Sequence, residues 1–127
     1  MSSLRSAFQS DVDEFIEDLR VFASGEYLQE QDLELWEAPF DPAVLPELRE
    51  ILEIFLDTAS LVAQPVDDAT ISDLYTGLIA NLEEFNAKHQ YAVLEPEEMS
   101  DIEGIFAKVS AQIGADPSVV QELFNRE

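Results

Sequence analysis

Apolar residues recur along this chain at steps of three and four, the spacing that stacks side chains on one face of an α-helix. From Ser3 to Ala23 the series Leu4, Phe8, Val12, Phe15, Ile16, Leu19 and Phe22 keeps that step. Asp11, Asp13, Glu14, Glu17 and Asp18 fall on the other side, and Gly25 is a natural stop just beyond. Glu30 to Glu37 predicts a short second helix through Leu33 and Trp36, ended by Pro39. Asp41-Pro42 reads as an N-cap followed by proline at the first helical position. The helix it opens should reach about Ala63, with Leu45, Leu48, Leu52, Phe55, Ala59 and Val62 on one face. Ile51, Ile54, Leu56 and Leu61 widen that face beyond a single stripe, as in a helix central to a bundle or lying in a homodimer interface.

Beyond a connector containing Pro65, Thr70 predicts the cap of a helix bearing Ile71, Leu74, Leu78, Leu82 and Phe85 and ending near Lys88-His89. Tyr91 to Leu94 is a short apolar connector whose composition also suits an extended segment. Glu95-Pro96 opens a helix through Met99, Ile102, Ile105, Phe106, Val109 and Ile113, closed by Gly114. Asp116-Pro117 repeats the cap-then-proline signature for a short last helix with Val120, Leu123 and Phe124. Gly77 and Gly104 fall inside helices, where glycine costs about 1 kcal/mol relative to alanine; close helix-helix approach is the expected reason for them. These elements predict an all-α, single-domain bundle of five to six helices over residues 1–127, orthogonal or up-down in arrangement.

Composition fits a folded domain: 46% of residues are hydrophobic, and eight Phe, three Tyr and one Trp supply bulk that an acidic disordered tail lacks. Charge changes the picture most. Six Lys and Arg stand against 28 Asp and Glu, for a formal net charge of −22. Such a field repels nucleic acid and anionic membrane and attracts basic protein surfaces or divalent cations. Direct nucleic-acid binding and membrane association are therefore not expected. The run from Ile51 to Ala63 is too short and too interrupted to span a bilayer, and no apolar leader segment follows Met1, so a cytoplasmic location is expected.

The absence of cysteine excludes disulfides, thiolate nucleophiles and Cys-based zinc sites. His89 is the single histidine, and at a helix C-terminus it reads as a surface residue complementing the dipole rather than a general base. No catalytic residue is assigned, and a di-iron helical site fails because it needs two Glu-x-x-His pairs. Paired carboxylates are the stronger chemical signal. Glu14-x-x-Glu17 and Glu95-x-x-Glu98-x-x-Asp101 place acids at helical neighbour spacing, where two facing pairs can hold Mg²⁺, as in all-α nucleotide pyrophosphatases. Glu14, Glu17, Glu95, Glu98 and Asp101 are thus the metal ligands of an alternative reading, a Mg-dependent all-α nucleotide hydrolase. Five Glu-x-x-Glu pairs occur where 17 glutamates in 127 residues give about two by chance, and acids on a helix face are usually just solvated.

The segment from Glu26 to Asp41 interleaves Glu30, Asp32, Glu34 and Glu37 with Trp36 and Phe40. Acids around aromatic anchors suit docking on a basic, partly apolar partner, and these six residues are the candidate binding site. The plainer alternative is that Trp36 and Phe40 cover the core beneath solvated acids. The leading expectation is a non-catalytic acidic binding or regulatory protein of inhibitor, immunity, DNA-mimic or adaptor type, needing no cofactor. A third reading asks no function of the charge, treating it as solvation chemistry of an acidic proteome.

Overall fold

The structure, a computed structural model, describes residues 4–25, 28 and 40–125. Among these residues the chain forms five α-helices and one 3₁₀ turn, with no strand. Helix α1 spans Leu4–Ser24, α2 Leu45–Ser60, α3 Asp68–Lys88, α4 Pro96–Gln112 and α5 Pro117–Asn125. The short helix predicted over 30–37 lies outside the described residues.

Helix ends differ from the sequence expectation where two capping solutions compete. Asp41 caps the 3₁₀ turn Pro42–Val44, its carboxylate accepting from the Ala43 N–H at 2.9 Å, and α2 begins only at Leu45. That helix stops at Ser60 rather than near Ala63, which leaves Leu61 87% exposed. Asp67, not Thr70, is the N-cap of α3: its carboxylate accepts from the Thr70 N–H at 2.7 Å. Asp68-Ala69-Thr70 thereby becomes the first helical turn. No strand forms over 91–94. Gln90 and Tyr91 instead take positive φ, and Asn86 clasps the far end of the connector, donating to the Leu94 carbonyl at 2.9 Å and accepting from its N–H at 3.0 Å.

Helix neighbours run α1, α2, α3, α5, α4 and close back on α1. Helices α1 and α2 are antiparallel, in a register shown by Leu4 against Ser60, Gln9 against Glu53 and Asp13 against Arg49. One apolar core draws on all five helices. Phe106, fully buried, stands at its centre with Phe55 at 5.5 Å, Tyr75 at 5.1 Å and Phe124 at 6.0 Å between ring centroids. Leu48, Leu52, Phe55, Leu56 and Ala59 bury the broad apolar face of α2 inside the ring, while Ile54 stays 50% exposed.

The close helix packing expected at Gly77 and Gly104 is not found: a Cβ built at either residue meets nothing within 4 Å. No helix among the described residues is long and apolar enough to cross a membrane.

Candidate functional site

Ion pairs are distributed unevenly over this surface. Arg5 reaches Asp57 at 3.0 Å and Glu53 at 3.6 Å, and Arg49 pairs with Asp13, so both cations stitch α1 to α2. Arg20 pairs with Glu17 one turn away at 2.6 Å, Lys88 with Glu47 at 3.1 Å, and Lys108 stands 3.9 Å from Asp11. Every Lys and Arg among the described residues is therefore engaged with a carboxylate of the chain itself.

The α1–α4 seam is different. Phe15, Asp18, Leu19 and Phe22, at steps of three, one and three along α1, face the N-terminus of α4 across an open cleft of about 330 Å³. Helix α4 and its cap contribute Glu95, Glu97, Glu98 and Asp101. Phe15 and Leu19 are buried and form the floor, while Phe22 is 43% exposed at the wall. Among the described residues, five carboxylates line this cleft and no cation does.

Local structure explains how four acids gather at the start of α4. Pro96 occupies the first turn, and Glu97 and Glu98 sit where the helix dipole and free backbone N–H groups favour negative charge. Asn86 holds Leu94 and so sets the direction in which Glu95 enters the helix. Burial raises the Glu98 carboxyl above the usual glutamate range; its own backbone N–H offsets part of this, and the charges of Glu95, Glu97 and Asp101 raise it further. The lining can accept a cationic head among carboxylates and an aliphatic stem against Leu19 and Phe22, with the aromatic rings adding cation–π attraction.

Of the predicted binding residues, Glu30, Asp32, Glu34, Trp36 and Glu37 lie outside the described residues. Phe40 is 8% exposed and belongs to the apolar core. Of the alternative metal set, Glu95, Glu98 and Asp101 line the cleft, but Glu14 and Glu17 do not; both are exposed, and Glu17 is held by Arg20. The α1 acid that faces α4 is Asp18, and Glu97 joins from the other side. A sequence signal for Asp18 exists in its position at the border of the Phe15, Leu19, Phe22 stripe. Among the described residues no three His, Asp or Glu side chains are grouped to hold a metal ion.

His89 is less exposed than its position suggested. It caps α3 through its backbone N–H, its ring packs edge-on to Phe85 at 4.7 Å, and its side chain is 21% exposed. Nε2 stands 3.8 Å from Glu47 and has no hydrogen-bond partner among the described residues. Comparison with protein families, characterised proteins and solved structures finds no match for this chain.

Proposed function

We propose that this protein is a non-catalytic acidic binding protein that docks on a basic protein partner, and that the α1–α4 cleft receives Lys or Arg side chains of that partner. The observation that carries the reading is the separation of charge. Cations of the described chain are consumed in pairs with its own acids, whereas the cleft gathers five carboxylates over an apolar floor. A net charge of −22 steers a basic surface toward the molecule over a Debye length, and the cleft supplies short-range complementarity once it arrives. The reading spans inhibitor, immunity, DNA-mimic and adaptor roles.

The alternative, Mg-dependent nucleotide hydrolysis, draws on the same α4 acids. A phosphate substrate needs Lys or Arg to neutralise it, and among the described residues the lining of the cleft holds none.

The test uses immobilised wild-type chain and the triple variant Asp18→Asn, Glu98→Gln, Asp101→Asn as baits in a lysate, eluted with stepwise NaCl. We expect wild type to retain a near-stoichiometric basic protein released at moderate salt, and the variant to retain about tenfold less. Equal retention by both baits moves the site away from the cleft. Failure to retain any basic protein, together with Mg²⁺-dependent nucleotide turnover that the variant loses, replaces the binding reading with the hydrolase.

A further inference from the structure

We infer that the groove between α2 and α3 is a docking site for an amphipathic helix with basic flanks. This rests on the reading above that the partner is basic, and it names the form in which the partner presents itself. The groove consists of two adjoining hollows of about 180 and 290 Å³ that share Ile51, Ile54 and Asn81. Ile54, half exposed, projects where the hollows meet, and Leu74 is only partly buried.

Three observations set this seam apart. First, its centre is uncharged on a molecule crowded with charge. The α3 positions Gly77 and Asn81 that line it carry none, and charge returns only toward the ends, at Asp73 on one side and at Glu84 and the Lys88–Glu47 ion pair on the other. An uncharged centre with a charged rim is the composition of a protein interface rather than of solvated surface. Second, Gly77 lies in the groove wall, and a Cβ there would meet nothing within 4 Å. Packing within the chain therefore gives no account of a mid-helix glycine, whereas the absent side chain leaves room for an incoming backbone. Third, the α2 residues Glu47, Ile51, Ile54 and Thr58 follow steps of four, three and four, forming one ridge about 16 Å long. Such a ridge and the groove beside it take the side chains of about three turns of another helix.

Charge selects the occupant. A second copy of this chain would bring Asp73, Glu84 and a net charge of −22 against their equals. A helix with apolar residues three and four apart and Lys or Arg at its flanks places its anchors on Ile51, Ile54 and Leu74 and its cations on Asp73 and Glu84, the rim acids that no cation of the lining engages.

The probe is a synthetic peptide of about 14 residues with leucines on one helical face and lysines elsewhere, compared with a scrambled peptide of the same composition. Each is titrated into methyl-labelled full chain at about 0.15 M NaCl, where steering alone is weakened. The helical peptide should bind at least about tenfold more tightly than the scrambled one and shift the methyl signals of Ile51, Ile54 and Leu74. Ile54→Asp and Gly77→Gln should each erase that difference. Gly77→Gln is the decisive variant, because a Cβ at this mid-helix glycine meets nothing within 4 Å and glutamine is the better helix former, so the fold, checked by its melting temperature, should be kept. Equal affinity for both peptides, with shifts confined to Leu19 in the α1–α4 cleft, overturns this inference and leaves the acidic-cleft reading standing. Failure of both peptides to bind overturns both readings. A dimer in sedimentation of the peptide-free chain that Ile54→Asp dissociates assigns the groove to a second copy and also overturns the inference.

Discussion

At Gly114 the backbone turns out of α4 with φ 83°, and a Cβ there would lie 2.8 Å from Pro65 Cβ and 3.0 Å from Pro65 Cα. Neither the dihedral nor the space allows another residue, so Gly114→Ala should lower stability by about 1–3 kcal/mol in urea unfolding. Gly104 is the converse: it sits in regular helix with open space around it, and Gly104→Ala should raise stability by about 0.5–1 kcal/mol in the same assay. Glu98 supplies the pH-sensitive position. Because its folded carboxyl titrates above the ordinary range, there is a pH window in which the folded chain holds a proton that the unfolded chain has released. Its contribution to stability falls as pH rises through that window, and above it the partly buried charge is a small standing penalty. Glu98→Gln should therefore raise stability slightly at neutral pH, in a urea titration, and change nothing near pH 3, where the carboxyl is protonated in both states. Asp67 has the opposite sign. Its hydrogen bonds from Thr70 lower its carboxyl below the ordinary value, so its stabilisation is complete above the unfolded value and lost as pH falls through the folded one. Thermal melts of Asp67→Ala should show a deficit of a few degrees at neutral pH that closes in strong acid.

At the scale of the element, α3 and α4 depend on one side chain between them. Asn86 satisfies both the N–H and the carbonyl of Leu94, and Leu94 itself is buried. Removing the amide leaves two backbone polar groups without partners in a part-buried setting. Asn86→Ala should cost about 2–3 kcal/mol by chemical denaturation. It should also loosen the entry of Glu95 into α4, visible as faster amide exchange at Glu97 and Glu98. The helices themselves were legible from three- and four-residue spacing, and so were the turns at Gly25 and Gly114. Their first residues were less so. Asp67 and Thr70 are three apart and both are good caps, and only the position of the following turn decides which side chain accepts.

Across the whole molecule, self-repulsion is the strongest electrostatic effect. With a net charge of −22, raising NaCl from about 0.01 M to about 0.3 M shortens the Debye length several-fold and should raise Tm by several degrees. The same salt weakens the surface ion pairs of Arg5, Arg20, Arg49, Lys88 and Lys108, each contributing about 0–1 kcal/mol at most. Repulsion among the excess acids outweighs that loss, so the net effect is stabilising. A Tm that levels off below about 1 M fits screening; a climb that continues through molar salt would identify the charge as solvation chemistry of a salt-adapted protein instead.

From the sequence alone come the five helices of the described residues, the apolar side of each, the absence of thiol chemistry and a strongly negative net charge. Those properties are local or additive: periodicity is set by residues three and four apart, and net charge by a sum. Tertiary structure alone decided which acids meet. Glu14, Glu17 and Asp18 lie within five residues on α1, yet only Asp18 turns toward Glu98 and Asp101, because the rotation of α1 against α4 is set by how Phe15 and Leu19 seat in the core. It also decided that Phe40 is buried and that Gly77 faces open space beside Ile54. Carboxylates on neighbouring turns share one sequence signature, and a contact between two helices is fixed by the packing of both faces, information that no single stretch of chain contains.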